Sequence, residues 1–253
     1  MIKFFRQIRY KLMNENKTAK YFKYAIGEIV LVVIGILIAL QINNLNDKRK
    51  LQEQEKTYYC KVSEDLKTDI ENIDRSILSI QNRQEATKRL LTNLLKIQKD
   101  KSVILKDYLN AIRSFDFIPT KAAIIDITSS GKLENLKNLD LNNQILQHYS
   151  ELDYRIKVIE GNNEQLSQKV FEYSSYTDFG IHELKLYKNA YGKELNSLLK
   201  SKEWQRNPND EIFKHLLDHM NMTMIICQRE QDVLNQIKIS AQKLNKTLTL
   251  YCK

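Results

Sequence analysis

A long apolar run near the N-terminus constrains this chain more than any other feature of its sequence. The stretch from Tyr24 to Ile42 is 19 residues long, and only Glu28 and Gln41 in it are strongly polar. A helix rises about 1.5 Å per residue, so this run spans about 28 Å, close to the roughly 30 Å hydrocarbon core of a bilayer. The run therefore predicts a transmembrane helix, which we place at residues 21–43.

Two other interpretations of the run fit less well. The run is longer than the apolar region of a typical signal peptide, and residues 39–44 contain no small-x-small cleavage site. A buried core helix of a soluble domain fits poorly with residues 29–40, which are apolar on every face of a helix. We therefore carry the transmembrane interpretation forward.

The net charge of +9 is concentrated on the N-terminal side of this run. Residues 1–23 hold seven basic residues and one acidic residue, Glu15, so they account for 7 − 1 = +6. The rest of the chain lacks a basic stripe with interleaved aromatic residues, and we expect no nucleic-acid partner. The positive-inside rule predicts a cytoplasmic N-terminus and puts residues 44–253 across the membrane, although three basic residues also follow the run.

The first 20 residues form a basic segment that is too short to be a domain. Four apolar residues fall on one helical face, whereas the basic ones lie mostly elsewhere, and this pattern is typical of an amphipathic helix on an anionic membrane surface. The membrane-surface candidates are Lys3, Arg6, Arg9 and Lys11. The alternative is a disordered basic tail that only sets the topology.

The N-terminal sequence resembles that of a known family. The run YAIGEIVLVVIGILIALQINN, preceded by MIKFFRQIR, is similar to the signature of a family of single-span Bacteroidota proteins that carries a domain-of-unknown-function label. A second, looser similarity lies at Thr128–Leu133, which resembles a Ser-Gly-x-Leu turn of the same family. The sequence departs from the family at Leu45, where Trp is usual. The resemblance implies an inner-membrane protein of a two-membrane bacterium with its bulk in the periplasm, and it implies no reaction.

The remainder of the chain predicts an all-α fold, in which the transmembrane helix continues into an elongated antiparallel helical bundle. Only six Gly and two Pro interrupt the sequence, which favours long helices. Residues 44–58 are polar and predict a helical stalk, and residues 59–253 predict the bundle. Apolar residues recur every three or four positions from Tyr59, which indicates a coiled-coil-like seam with an interruption at Gln84 and Thr87. The segment at about 174–209 is aromatic-rich and less regular.

The three cysteines form no metal-binding or redox pattern. In an antiparallel bundle the end of the last helix returns toward the start of the first, so Cys60 and Cys252 are candidates for a disulfide in an oxidising compartment. Cys227 falls on the apolar face of the last helix, so we expect its side chain to be buried and to pack as a small apolar group.

Few residues suggest chemistry. His215 and His219 share a helical face, which suits a metal, but without an HExxH motif two surface or seam histidines fit better. The sequence contains no phosphate-binding loop, nucleophile elbow or kinase signature, so we expect no enzymatic activity and no cofactor. Trp204 and its neighbouring aromatics fit a packed core better than a recognition patch.

Glu28 lies on a stripe of small and polar residues along the predicted transmembrane helix. Gly35 and Ala39 on this stripe form a small-x-x-x-small step that lets a second helix approach closely. We therefore predict a helix–helix contact at Ala25, Glu28, Gly35, Ala39 and Asn43. Two alternatives for Glu28 remain open: a charge that reaches toward the headgroups, and an ion or proton site.

These features lead to a non-enzymatic, membrane-anchored helical protein that binds other proteins or scaffolds a complex. The predicted partners are the membrane and a homo- or hetero-oligomer formed through the transmembrane helix and the bundle. The alternatives are a sensory or signalling accessory that acts through a partner, and an oligomeric channel or ion-coupled component that uses Glu28. A periplasmic hydrolase has no support in the sequence beyond the irregular segment.

Overall fold

The computed structural model describes residues 6, 7, 10, 18–97, 100–114, 116–171 and 176–252. The chain divides into two units, Met1–Thr57 and Tyr58–Lys253. Over the described residues the fold is all-α without a strand, as the sequence predicts. The α-helices are α1 (Thr18–Lys96), α2 (Lys101–Ala111), α3 (Ala122–Ser129), α4 (Leu139–Phe171), α5 (Tyr176–Phe179), α6 (Lys185–Leu198) and α7 (Glu211–Leu248).

Helix α1 contains the apolar run, the predicted stalk and the first seam of the bundle in one helix of 79 residues. Its sequence has no proline, and its only glycines are Gly27 and Gly35, so no residue within it interrupts the backbone hydrogen bonds. The helix ends at Lys96, and Ile97 adopts a left-handed φ of 53° and donates its N–H to the Leu94 carbonyl.

In the first unit, the apolar residues of α1 are exposed. None of the most apolar 18-residue window, with a mean hydropathy of 2.6, is buried within the chain. A continuous apolar surface of this kind is unfavourable in water and marks a site of contact with lipid or protein. By length and composition this part of α1 could cross a membrane.

In the second unit, α7 runs antiparallel to α1. The side chain of Ser63 near the start of the unit contacts Asn245 near the end of α7, at 2.5 Å. Further along α1, Arg83 contacts Glu230, which lies earlier in α7, at 3.2 Å. Rising numbers on one helix therefore meet falling numbers on the other.

Helix α4 runs parallel to α1, which the prediction of an antiparallel bundle did not specify. Tyr59 donates a hydrogen bond to Asn142 at 2.9 Å, and Arg83 reaches Asn163 at 3.5 Å. Residues 97–138, which include α2 and α3, return the chain to the Tyr59 end before α4 begins.

The buried side of α7 follows a three-and-four spacing almost without a break. This spacing keeps one stripe of a helix facing its neighbours over many turns. The buried positions are Ile212, Phe213, Leu216, Met220, Thr223, Ile226, Cys227, Glu230, Leu234, Ile237, Ala241, Leu244 and Leu248. The seam of α1 has the same spacing, and at the interruption predicted at Gln84 and Thr87 it continues through buried Arg83 and Thr87.

The aromatic-rich segment packs on the end of the bundle where α1 ends and α7 begins. Trp204 is 1% exposed, its ring stacks on Phe179 at 5.3 Å, and its indole N–H donates to the Phe179 carbonyl at 3.1 Å. The described part of the segment contains α5, α6 and two 3-10 turns, so it is more regular than the sequence suggested. Trp204 thus has the core role that the sequence favoured.

Turn residues define the ends of several helices. Asp210 accepts a hydrogen bond from the Ile212 N–H and caps α7, and Gly131 has the left-handed φ of 66° expected just after α3. Lys121 precedes α3 without a side-chain cap, and the N–H of the neighbouring Thr120 donates to Asp69 on α1.

Candidate binding site in the helical bundle

An ion pair lies in the interior of the bundle, between α1 and α7. The Arg83 guanidinium and the Glu230 carboxylate approach to 3.2 Å, and their side chains are 5% and 3% exposed. Arg83 also donates from Nε to the Ala111 carbonyl at 2.8 Å, which ties the end of α2 to α1. The ion pair therefore joins three helices at one buried point.

Burial dominates the electrostatics of this pair. Removal of water raises the pKa of Glu230, while the charge of Arg83 and a hydrogen bond from Asn163 act to lower it, and the net direction is upward. A buried ion pair adds little net stability, because the cost of removing both charges from water offsets their attraction.

A cavity of about 700 Å³ lies beside the first two turns of α7. Its wall combines both signs of charge with aromatic and aliphatic surface. The residues that give it this character are Tyr108, Lys169, Phe179, Asp210, Leu216 and Asp218, together with both predicted histidines. A pocket of this size and mixed polarity suits a small polar molecule or a peptide side chain.

The two histidines proposed from the sequence, His215 and His219, both line this cavity. His219 is partly buried, with its ring 5.9 Å from that of Tyr108 in an edge-to-face arrangement, whereas His215 is exposed. Within the described ranges, no group of three histidine, cysteine or carboxylate side chains is placed to hold a metal ion. The pair therefore contributes to the wall of a pocket and forms no recognisable metal centre there.

The interior of the bundle makes His219 a weak base. Burial is the main cause, and the positive charges of Lys169 and Arg83 add to it, so that the pKa of His219 falls to about 4. The ring is therefore neutral at physiological pH and can donate or accept one hydrogen bond, but it carries no charge with which to attract an anion.

A second polar cluster surrounds Lys101 at the start of α2. The Lys101 ammonium contacts Glu183 at 3.0 Å and Glu203 at 3.7 Å, and it donates to Ser201. Burial acts to raise the pKa of Glu183, but hydrogen bonds from Ser201 and Lys101 and the charge of Lys101 outweigh it, and the pKa is lowered. Lys101 thus joins the start of α2 to the segment that contains both glutamates.

Cys60 and Cys252 form a disulfide in the structure, with their Cα atoms 5.4 Å apart. They are the two cysteines proposed from the sequence. Cys227 is free and buried, and burial raises the pKa of its thiol to about 11. A thiol with so high a pKa is a poor nucleophile, which fits a packing role for Cys227.

The residues proposed for the membrane segment lie on α1 in the first unit. Ala25 and Glu28 are partly buried, whereas Gly35, Ala39 and Asn43 are exposed. Of the proposed membrane-surface residues, Arg6 is exposed, and Lys3, Arg9 and Lys11 lie outside the described residues.

Sequence reasoning missed the buried polar residues. Arg83 and Glu230 each occupy a seam position where the spacing calls for an apolar side chain, and this mismatch was the signal that could have identified them. His148 is another buried polar residue, and its Nδ1 lies 2.9 Å from the Ser240 hydroxyl on α7. Burial lowers the pKa of His148.

Comparison with known protein families gives a match over residues 28–197. The chain belongs to a family of unknown function, DUF6090. The DUF6090 match begins at Glu28 within the apolar run and ends near the end of α6. It therefore includes Cys60 and Arg83 and stops before their partners in α7 and beyond. No curated protein and no solved structure matches the chain.

Proposed function

We propose that this DUF6090 protein is a non-enzymatic, membrane-anchored helical module that binds other proteins or scaffolds a complex. The observation that carries the proposal is α1 itself, which contains both an exposed apolar segment of transmembrane length and the first helix of a cored, disulfide-linked bundle. Such a chain combines a membrane anchor with a stable helical domain that other proteins can bind. The polar clusters described above hold helices together.

The proposed location is the inner membrane of a member of the Bacteroidota, with the N-terminus in the cytoplasm and residues 44–253 in the periplasm. The charge of the N-terminal segment supports this orientation, because it exceeds that of the segment following the apolar run. A disulfide between Cys60 and Cys252 suits an oxidising compartment. Alkaline phosphatase fused after Lys253 should be active, and the same fusion would be inactive if the bulk of the chain were cytoplasmic.

The proposed route of association is the stripe of small and polar residues on α1. Nothing lies within 4 Å of a Cβ added at Gly27 or Gly35, so leucine fits either position in the single chain. Gly35 lies on the stripe and Gly27 lies about 100° away from it. We expect Gly35→Leu to weaken association in the membrane at least several-fold, measured by crosslinking in intact membranes, and Gly27→Leu to leave it unchanged.

If Gly35→Leu and Gly27→Leu both associate as strongly as the native chain does, this stripe is not the contact.

The broader proposal is tested by affinity purification of the full chain from mildly solubilised membranes. Recovery of a defined partner, lost on deletion of the bundle, supports a binding module. A turnover activity that is lost on gene deletion and restored by the purified bundle would overturn it.

A sensory accessory is the second candidate, and the 700 Å³ cavity is the observation that favours it. A ligand in this cavity would contact α2, α4 and α7 and so could change their packing. Crosslinking that finds no membrane partner with a cytoplasmic output domain would count against this function.

A further inference from the structure

A second cavity lies between α1 and the end of α2, and it is bordered by three arginines. It has a volume of about 380 Å³, and Arg75, Arg83 and Arg113 all line it. Asn82, Asn110 and Ser79 supply further hydrogen-bonding groups, and no carboxylate is among the lining residues. We call this set of six residues the guanidinium cleft.

Arg83 forms the floor of the guanidinium cleft and is fixed in place. Its Nε donates to the Ala111 carbonyl and its Nη1 contacts Glu230, so two of its three nitrogens are committed to the bundle. The Nη2 atom has no hydrogen-bond acceptor among the described residues, although the residue is only 6% exposed. A buried guanidinium with one edge unused, in the wall of a cavity, is a preorganised anion donor.

Arg75 and Arg113 stand at the rim of the cleft. Both are exposed, Arg75 contacts only the neutral Asn72, and Arg113 contacts no carboxylate in the part of the chain that the structure describes. Glu230 already offsets the charge of Arg83, so the repulsion that a bound anion would relieve is chiefly that between Arg75 and Arg113.

We propose that the guanidinium cleft binds the oxyanion group of a small molecule, a phosphate or a carboxylate. Planar guanidinium groups match both oxyanions through paired N–H donors, and the side-chain amides can bind the remaining oxygens. The cavity is larger than a phosphate ion, and Leu78 adds an apolar wall, so the ligand carries a small organic part beyond the oxyanion. This site is separate from the 700 Å³ cavity and is independent of the scaffolding role.

The test uses the full chain in delipidated, phosphate-free maltoside micelles at low salt. Isothermal titration with inorganic phosphate and, separately, with succinate should show saturable binding of one of them, with one site per chain. We expect Arg75→Gln and Arg113→Gln each to weaken that binding about tenfold, because each removes a charged hydrogen-bond donor. Added salt should weaken it further.

The exposed arginines are the preferred targets, because loss of Arg83 leaves Glu230 buried without its partner and disturbs folding. Arg206→Gln is the matched control, since Arg206 is exposed and does not line the cleft. The control should bind as the native chain does. The proposal is overturned if neither probe binds saturably up to about 10 mM, or if the Arg75→Gln/Arg113→Gln double variant binds as well as the control.

Discussion

At the scale of single residues, burial changes what a side chain can do. His219 is the clearest case. In the unfolded chain it takes up a proton near the ordinary imidazole pKa of 6.5, whereas in the fold it does so only near 4. Between those values the unfolded chain binds more protons, so the free energy of unfolding falls as the pH falls through this window.

We therefore predict that His219→Gln reduces the acid sensitivity of the bundle. Between pH 7.5 and pH 5 the native chain should lose about 2 kcal/mol more stability than the variant, as expected for one imidazole with this shift. Urea denaturation at the two pH values measures this, with fluorescence of Trp204 as the probe, because it is the single tryptophan of the chain and is buried.

Two features of the chain control the measurement. His148, whose pKa is also lowered, is present in both proteins, so the difference between them isolates His219. His215→Gln, at an exposed position on the same helix, controls for the loss of a histidine side chain from this face. Equal acid sensitivity of the native chain and His219→Gln would show that His219 protonates freely in the fold.

The sequence predicted where the two histidines lie but not that one of them is buried. The four-residue spacing of His215 and His219 correctly puts both in one wall, since i and i+4 share a helical face. It does not predict that Tyr108 covers one ring, because that contact joins residues 111 positions apart in the sequence. Burial, and with it the pKa, depends on such distant contacts.

At the scale of elements, the alignment of α1 with α7 depends on a polar contact within an apolar seam. Several register shifts of a heptad-like seam bury similar apolar area, but only one brings Arg83 to Glu230. An unpaired buried charge is costly, so the ion pair disfavours the other registers.

We predict that Arg83→Met and Glu230→Leu each lower the free energy of unfolding by about 3–5 kcal/mol, because each leaves a charge buried alone. The double variant should recover most of this loss, since it replaces the pair with apolar side chains. Urea denaturation followed by Trp204 fluorescence gives all four stabilities of the cycle.

The exposed pair Asp74–Lys238 joins the same two helices and is the matched control. Its side chains are 53% and 26% exposed, and its coupling should be no more than about 1 kcal/mol. If the single variants of Arg83 and Glu230 lose as little free energy of unfolding as the variants of the control pair, water reaches Arg83 and Glu230 in solution.

Helix positions were predictable from spacing, and so was the antiparallel direction of α7 against α1, whereas the direction of α4 was not. The periodic runs identified α1, α4 and α7 because burial repeats every three or four residues. The parallel arrangement of α1 and α4 depends on the path of residues 97–138, whose short helices carry too few apolar positions to predict their packing.

At the scale of the whole molecule, the disulfide closes the second unit. It joins residues 192 positions apart in sequence, and nearly all of that unit lies between them. A crosslink over so long a loop removes much of the conformational freedom of the unfolded chain.

We predict that Cys60→Ser lowers the free energy of unfolding by about 2–5 kcal/mol, and that Cys252→Ser has the same effect. The double variant should be no less stable than either single one, because the first change already opens the loop. Both single variants should also lose the faster migration that the oxidised chain shows on a non-reducing gel.

Cys227→Ala should keep that faster migration, because its thiol takes no part in the bridge. If reduction of the native chain leaves both its gel mobility and its denaturation midpoint unchanged, the two cysteines are not joined in solution. The pairing was accessible from sequence because it follows from the direction of the first and last helices alone.

The same bridge has a mechanical consequence for the second unit. Residue 60 lies where the chain enters this unit and residue 252 where it leaves, so tension applied between these two points passes through the sulfur–sulfur bond. The helices between them form a side loop that carries none of that load. A pulling experiment across the two ends should therefore extend the oxidised chain by almost nothing, and the length of residues 61–251 should appear only after reduction.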